Sequence, residues 1–306
     1  MKKKILAIQG SSLKKINVKT DTTFFLGLEA QKRNYDIYYY EPKNLSFVNG
    51  KVTARCGKIK FQKNKKKPFI ILKKIILNLI KADLLLIRNE PPFNQQYINT
   101  TFILEHIVKK IKIINDPRSL REVPEKLFSL RLTKFMPSTL ISEDIEKIKF
   151  FFSKNMKVVI KPIESYSGND VKLLNKFNKG KITKYIKKYH HLMFQKFIPE
   201  ISNGDKRVFI INGKVKGVIS RLPKRGSILS NMSKGASAKK IHITHQELKI
   251  SKIVARELKR KNIYFAGIDF IKGRLIGDIN VTSPTGLKTY YDLTGINLAE
   301  YFFDNI

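Results

Sequence analysis

Apolar and polar positions follow two rhythms along the chain. Up to Asp116, short apolar runs alternate with stretches of near-helical spacing. Lys4 to Ile8 predicts a strand. Asp21 to about Arg33 predicts a helix, with Phe24, Phe25, Leu28 and Ala30 along one side. Tyr38 to Tyr40 and the buried run Leu84 to Ile87 predict strands, Asn99 to Lys109 a helix, and Lys112 to Ile114 a further strand. A parallel sheet with crossover helices requires this alternation, and an open, doubly wound α/β domain is the economical reading. Within it, Asn49-Gly50 between strand-like runs predicts a hairpin over 46–56. The Lys-rich stretch 58–81 reads as an amphipathic connection or helix, and Asn89 to Phe93 as a rigid turn.

Beyond Asp116 the rhythm changes to a mixed α+β pattern. Strand Ser138 to Ile141, helix Glu143 to Lys154, strand Val158 to Pro162, the loop 165–170, a helix over 181–189 and strand Leu192 to Ile198 make a small lobe. Arg207 to Ile211 and Val215 to Arg221 flank an Asn212-Gly213 turn. Residues 223–241 are polar and rich in Gly and Ser, long for a loop inside a compact domain, which marks them as functional or disordered. Helix Gln246 to Lys261, a hairpin and a terminal helix over Asn297 to Phe303 complete the plan.

The hairpin carries the densest chemistry. Ala266 to Ile271 and Arg274 to Val281 flank Lys272-Gly273, a pair suited to a two-residue turn that sets 271 against 274 and 269 against 276. Side chains alternate faces along a strand, so Asp269 shares a face with Asp278 and Asn280. Two carboxylates and an amide oxygen suit a hard cation such as Mg2+. A solvated hairpin, whose Asp and Asn only mark turns, fits these residues equally, and a bulge at Gly277 would shift the parity.

Composition narrows the class. The chain has 306 residues, enough for two or three domains, and its 42% hydrophobic content is that of a globular protein. The best apolar run, Phe69 to Ile80, is interrupted by Lys73 and Lys74 and is too short to span a bilayer, and the start is too briefly apolar for an export signal. One cysteine, Cys56, excludes an internal disulfide, and a cytoplasmic protein is expected. The charge of +37, from 61 basic and 24 acidic residues, attracts anions. It raises nucleic-acid binding as a reading, but the lysines are spread along the whole chain and no nucleic-acid-binding motif accompanies them. Compositional bias and an anionic small ligand account for it better.

Lys161 ends the run VVIKP beside a Gly/Ser loop, and Lys126 stands at the start of a helix read over Glu125 to Phe128. Two cations with backbone N–H groups suit a polyphosphate, although either lysine alone is one among many. The order of these pieces resembles the ATP-grasp ligases, and their wording resembles the bacterial glutathione synthetase family. The likeness runs through NVKTDTTFFLGLEAQKR at 17–33, IRNEPPF at 87–93, DPRSLREVPEKLF at 116–128, IKP at 160–162, GDKRVFIINGK at 204–214, GIDFI at 267–271 and INVTSPTG at 279–286.

The resemblance implies an ATP-grasp fold in three parts: an N-terminal preATP-grasp domain over 1–122, a small lid over 123–200, and a C-terminal part over 201–306. It implies ATP and Mg2+, or Mn2+ in its place, as cofactors, γ-glutamylcysteine and glycine as substrates, and a homotetramer. Lys126 and Lys161 match phosphate-binding lysines, with Ser167 and Gly168 in the lid loop. Gln195, Lys196, Phe197 and Ile198 match the segment beside adenine, and Asp205 the adjoining nucleotide motif. Arg207 and Arg221 match arginines that hold the acyl phosphate, and Arg207, Asn231, Asn280 and Ser283 fall on the substrate side. Asp269, Asp278 and Asn280 match the metal ligands. Three departures stand out: a lid loop poorer in glycine at 165–168, Asp278 after an extra Gly277 where the family has Glu, and Leu229, Ser230 and Ala236 in place of an arginine and glycines. These changes bear on the acid or amine accepted. The paired histidines at 190–191 and 242/245 lack Cys or carboxylate partners in sequence, so no zinc site is expected.

Overall fold

The computed structural model describes residues 3–306; Met1 and Lys2 lie outside them. The first third holds β1 (Lys4–Gly10), α1 (Thr22–Lys32), β2 (Tyr35–Tyr40), β3 (Leu45–Val48), β4 (Lys51–Phe61), β5 (Phe69–Asn78), β6 (Leu84–Arg88), α2 (Gln95–Glu105), β7 (Lys112–Ile114) and α3 (Pro117–Glu122). Local chemistry sets the helix starts: Asp21 accepts a bond from Phe24 N and Asn94 one from Tyr97 N, each satisfying an orphan donor of the first turn. The Asn94 cap begins α2 four residues earlier than the apolar spacing alone indicates.

These strands form one seven-stranded sheet in the order β3-β4-β2-β1-β6-β7, with β5 paired to β4. The strands β2-β1-β6-β7 run parallel. The Lys-rich stretch is a correction: it is neither helix nor loose connection but the antiparallel hairpin β4–β5. Ile75 and Leu77 pair with Cys56 and Ala54 over the core, while Lys73 and Lys74 stand exposed, so the run's β-branched residues serve a half-buried strand.

The small lobe holds β8 (Thr139–Ser142), α4 (Ile145–Lys154), β9 (Val158–Pro162), β10 (Lys172–Leu174), α5 (Lys179–Tyr189) and β11 (Leu192–Lys196), in a four-stranded sheet ordered β10-β9-β11-β8. A one-turn connection and a 3-10 stretch, Phe128–Phe135, lead into it, so Lys126 precedes a 3-10 helix rather than starting an α-helix. The last part holds β12 (Asp205–Ile211), β13 (Lys214–Leu222), β14 (Ser237–Lys240), α6 (His245–Arg260), β15 (Phe265–Ile271), β16 (Arg274–Asn280), α7 (Leu287–Thr294) and α8 (Leu298–Asp304), with sheet order β14-β13-β12-β15-β16. The polar 223–241 segment closes with the edge strand β14.

Packing ties the first part to the last. Ala7, Leu85 and Ile113 share a buried cluster with Val208, Ile268 and Ile279, and Leu6 and Phe24 share another with Phe209, Leu287 and Phe302. Asn115 stitches the same seam: its amide donates to Phe265 O at 2.8 Å and Val281 O at 2.7 Å, and its Oδ1 accepts from Tyr264 N and Phe265 N. The small lobe keeps a cluster of its own, including Ile148, Phe152, Ile160, Ile182 and Phe194.

Candidate active site

The β15–β16 hairpin turns at Lys272-Gly273, both with positive φ (46° and 71°), as a two-residue turn matched to strand twist requires. The expected register holds at the tip, where 271 faces 274 and 270 faces 275, and then breaks. Ile268 pairs with Ile279, so Ile276, Gly277 and Asp278 together oppose Asp269, and the expected pairing of 269 with 276 alone is not formed. Gly277 carries the irregularity at φ 84°. Because β16 gains two residues rather than one, the two-residue side-chain period survives, and Asp269, Asp278 and Asn280 all face the same cleft.

Two charge clusters result. In the first, Arg207 grips Asp269 with both Nε (2.8 Å) and Nη2 (2.7 Å), and Arg221 reaches the same carboxylate at 3.0 Å while holding Asp205 with two bonds. All four side chains are buried. Burial alone would raise the Asp269 carboxyl; the two guanidinium groups overcome that and hold it well below the usual carboxylate range. Asn280 Nδ2 lies 3.4 Å from Asp269 Oδ2. Two arginines against two aspartates leave this cluster close to neutral.

In the second cluster, Lys161 Nζ donates to Ile276 O at 2.7 Å and lies 3.3 Å from Asp278 Oδ2. Lys126 Nζ lies 3.7 Å from Asp278 Oδ1 and donates to the carbonyls of Ile163 and Ser165, at the root of the 165–170 loop. Two buried ammonium groups share one carboxylate, so an excess of positive charge faces the cleft. Glu125, beside Lys126, accepts three bonds at Oε1 from Val281 N, Thr282 N and Thr282 Oγ1, which fixes the end of β16.

Both clusters open into a cleft of about 590 Å3 bounded by all three parts of the chain. All sixteen residues singled out in the sequence line it: Lys126, Lys161, Ser167, Gly168, Gln195, Lys196, Phe197, Ile198, Asp205, Arg207, Arg221, Asn231, Asp269, Asp278, Asn280 and Ser283. Among the described residues no three His, Cys, Asp or Glu side chains gather as a metal site. Asp269, Asp278 and Asn280 stand together beside a cationic pocket, with both Asp269 oxygens accepting from Arg207 and with Asn280 Nδ2 toward Asp269, so a hard ion at these side chains would share Asp269 with the guanidinium groups and take its remaining ligands from phosphate.

Sequence reasoning passed over Arg88. Its side chain is buried on the cleft wall, bonded through Nε to Thr23 Oγ1 (3.1 Å) and through Nη2 to Pro284 O (2.9 Å). Among the described residues no carboxylate lies within ion-pair distance of it, and burial lowers its pKa to about 10. Its signal was positional: it ends a buried parallel strand, on the carboxyl edge where open α/β sheets receive ligands. Thr22, nearby, accepts bonds from Gly286 N and Leu287 N and so seats the Ser-Pro-Thr turn.

Comparison with known proteins agrees with this architecture. Residues 5–121 match the family model of the prokaryotic glutathione synthetase N-terminal domain, and residues 125–295 that of the prokaryotic glutathione synthetase ATP-grasp domain. The glutathione synthetase of Bradyrhizobium diazoefficiens is 35% identical, over 98% of this chain and 97% of its own. That of Buchnera aphidicola subsp. Schizaphis graminum is 34% identical, again over 98% and 97%. Among solved structures, the D-cycloserine synthetase DcsG aligns at TM-score 0.67 and 10% identity, covering 98% of this chain and 97% of that one. The ATP-grasp ligase PsnB, in a complex with Mg and ADP, aligns at 0.65 and 14%, covering 99% and 97%. These two likenesses show the fold, and the sequence matches show the kinship: the chain belongs to the prokaryotic glutathione synthetase family.

Proposed function

We propose that the protein is an ATP-dependent ligase that joins γ-glutamylcysteine to glycine, giving glutathione, ADP and phosphate. The observation that carries this reading is the meeting, in one cleft, of a cation-rich lysine pair and a balanced arginine–aspartate network. A carboxylate attacking ATP brings anion to anion, so the barrier is largely electrostatic. Lys126 and Lys161 take the phosphates, with backbone N–H groups of Ser167 and Gly168 above them. Gln195, Lys196, Phe197 and Ile198 wall the base, and Asp205 holds Arg221. Arg207 and Arg221 steady the acyl phosphate and the oxyanion that forms when the glycine amine attacks and phosphate leaves. Asn231, Asn280, Ser283 and the unpaired Arg88 serve the peptide substrate. Mg2+, or Mn2+ in its place, would be held by Asp269, Asp278 and Asn280 and would draw charge from the transferred phosphoryl group.

In this reading residues 1–122 are the preATP-grasp domain, 123–200 the lid and 201–306 the C-terminal part. The enzyme works in the cytoplasm as a homotetramer. Support for assembly is the free edge strand β5, where Ile71, Leu72 and Ile76 are 45%, 57% and 74% exposed. A monomer mass by light scattering would remove the tetramer. The activity is tested by ADP release: turnover must require both γ-glutamylcysteine and glycine, and its absence at every Mg2+ level overturns the proposal. A substrate panel decides a second reading, a ligase of altered acid or amine specificity, which the departures at Leu229, Ser230 and Ala236 favour.

A further inference from the structure

The 223–236 segment arches over the cleft with few ties to the rest of the molecule. Its backbone hydrogen bonds, such as Ser227 N to Lys224 O and Lys234 N to Asn231 O, stay inside it. Among the described residues, two side-chain bonds leave it. One is exposed: Lys234 Nζ donates to Asn169 Oδ1 at 2.7 Å. The other is buried: Ser230 Oγ donates to Asp205 Oδ2. A hydrogen bond to a buried carboxylate is the stronger kind, and an exposed lysine–amide contact contributes little.

Ser230 sits between the two residues that meet the opposite wall. Leu229 and Asn231 close on Gly168 so tightly that a Cβ there would lie 3.1 Å from Leu229 Cδ2 and 2.7 Å from Asn231 Oδ1. Asp205, the carboxylate that Ser230 grips, holds Arg221, which also reaches Asp269. One hydroxyl thus links the arch, the small-lobe loop and the arginine network.

We infer that Ser230 is a positioning residue: its bond to Asp205 fixes the arch over the cleft, in contact with Gly168, and keeps Asp205 aimed at Arg221. The kinetic part of this inference rests on the ligase reading; the structural part does not. The test therefore has two arms, applied to Ser230→Ala and to Ser230→Thr, which keeps the hydroxyl. In the first, trypsin cleavage after the exposed Lys224, Arg225 and Lys234 is followed by mass spectrometry. Ser230→Ala should speed it about tenfold with a fall of only about 2–4 °C in the thermal midpoint, and Ser230→Thr should cut at the wild-type rate with the midpoint unmoved. In the second, Ser230→Ala should raise KM for ATP and lower kcat, and Ser230→Thr should restore both. Cleavage of Ser230→Ala at the wild-type rate overturns the inference. So does equal acceleration in both variants with a shared fall in midpoint, which would mark a packing role. If no ligase activity exists, the cleavage arm still decides.

Discussion

The carboxylate of Asp278 lies 3.3 Å from the ammonium of Lys161, a residue 117 positions earlier in the chain and on a different sheet. The contact spans the cleft from the small lobe to the acid hairpin. Asp278→Asn removes the charge while keeping the shape, and it should lower kcat/KM at least about a hundredfold, because in the proposed function that carboxylate would hold the Mg2+ whose charge offsets the phosphates. Some stability should be lost as well, because the buried Lys126 and Lys161 lose their shared carboxylate, but water at this quarter-exposed side chain (26%) keeps the loss below that expected for a fully buried pair. Activity within a few-fold of wild type would show that Asp278 is not a ligand.

Asp269 answers differently, because it is buried between two guanidinium groups. Asp269→Ala strands Arg207 as an uncompensated buried charge, while Arg221 keeps Asp205, and the expected loss of stability is about 3–5 kcal/mol. Urea unfolding measures it. A loss below about 1 kcal/mol would mean that water or anions reach the arginines freely.

Glu125 makes stability depend on pH. Burial, the largest influence, raises its carboxyl above the ordinary 4.5, against Lys126 and three hydrogen bonds. The fold therefore holds this proton more tightly than the unfolded chain does. That contribution is complete below pH 4.5 and is lost as pH rises through the raised value. Asp269 has the opposite sense, adding stability above 3.8 and losing it as pH falls, but it is common to both proteins compared. The stability of Glu125→Gln relative to wild type should thus increase from pH 4.5 towards about pH 7. A constant difference over that window would refute the raised value.

Gly277 tolerates no side chain. At φ 84° an added Cβ is strained, and it would also sit 3.1 Å from Met136 Cε and 3.4 Å from Gln195 Nε2. Gly277→Ala should cost about 1–2 kcal/mol in unfolding and weaken ADP binding through the displaced Gln195. Isothermal titration with unchanged ADP affinity would separate Gly277 from the base pocket.

Cys56 should be inert. Burial pushes its thiol up to about 12, and its Sγ bonds to Ala54 O at 3.3 Å. Iodoacetamide at about pH 8 should leave it unmodified in the native protein and label it fully in guanidinium. Native labelling at the rate of a free thiol would contradict the packing of β4 on the core.

The parallel strands, the Asn-Gly and Lys-Gly turns and the start of α1 were legible because each rests on a short-range rule. Leu84 to Ile87 is a continuous apolar run because both its faces are buried, and Asp21 announces α1 by its cap. What misled was chemistry decided at long range. Lys73 and Lys74 look like a helix's solvated face until β4 supplies a partner strand. In the hairpin, no local rule says whether Gly277 inserts one residue or two, and only two keep Asp278 facing the cleft. Arg88 stayed hidden because its setting, a buried guanidinium with no ion pair among the described residues and a bond to Pro284 O, is assembled across 196 residues that the sequence does not show as neighbours.

The seam at Asn115 has a mechanical consequence. Because the parallel sheet and the β12–β16 sheet share two hydrophobic clusters and that amide's four bonds, they form a single fixed jaw bearing Arg88, Arg207, Arg221 and Asp269. The small lobe packs a core of its own and carries Lys161, Gly168 and Gln195. Under the proposed function, any rearrangement that admits the nucleotide would therefore fall on the lobe built on four short strands, while Arg88, Arg207, Arg221 and Asp269 would keep their mutual distances.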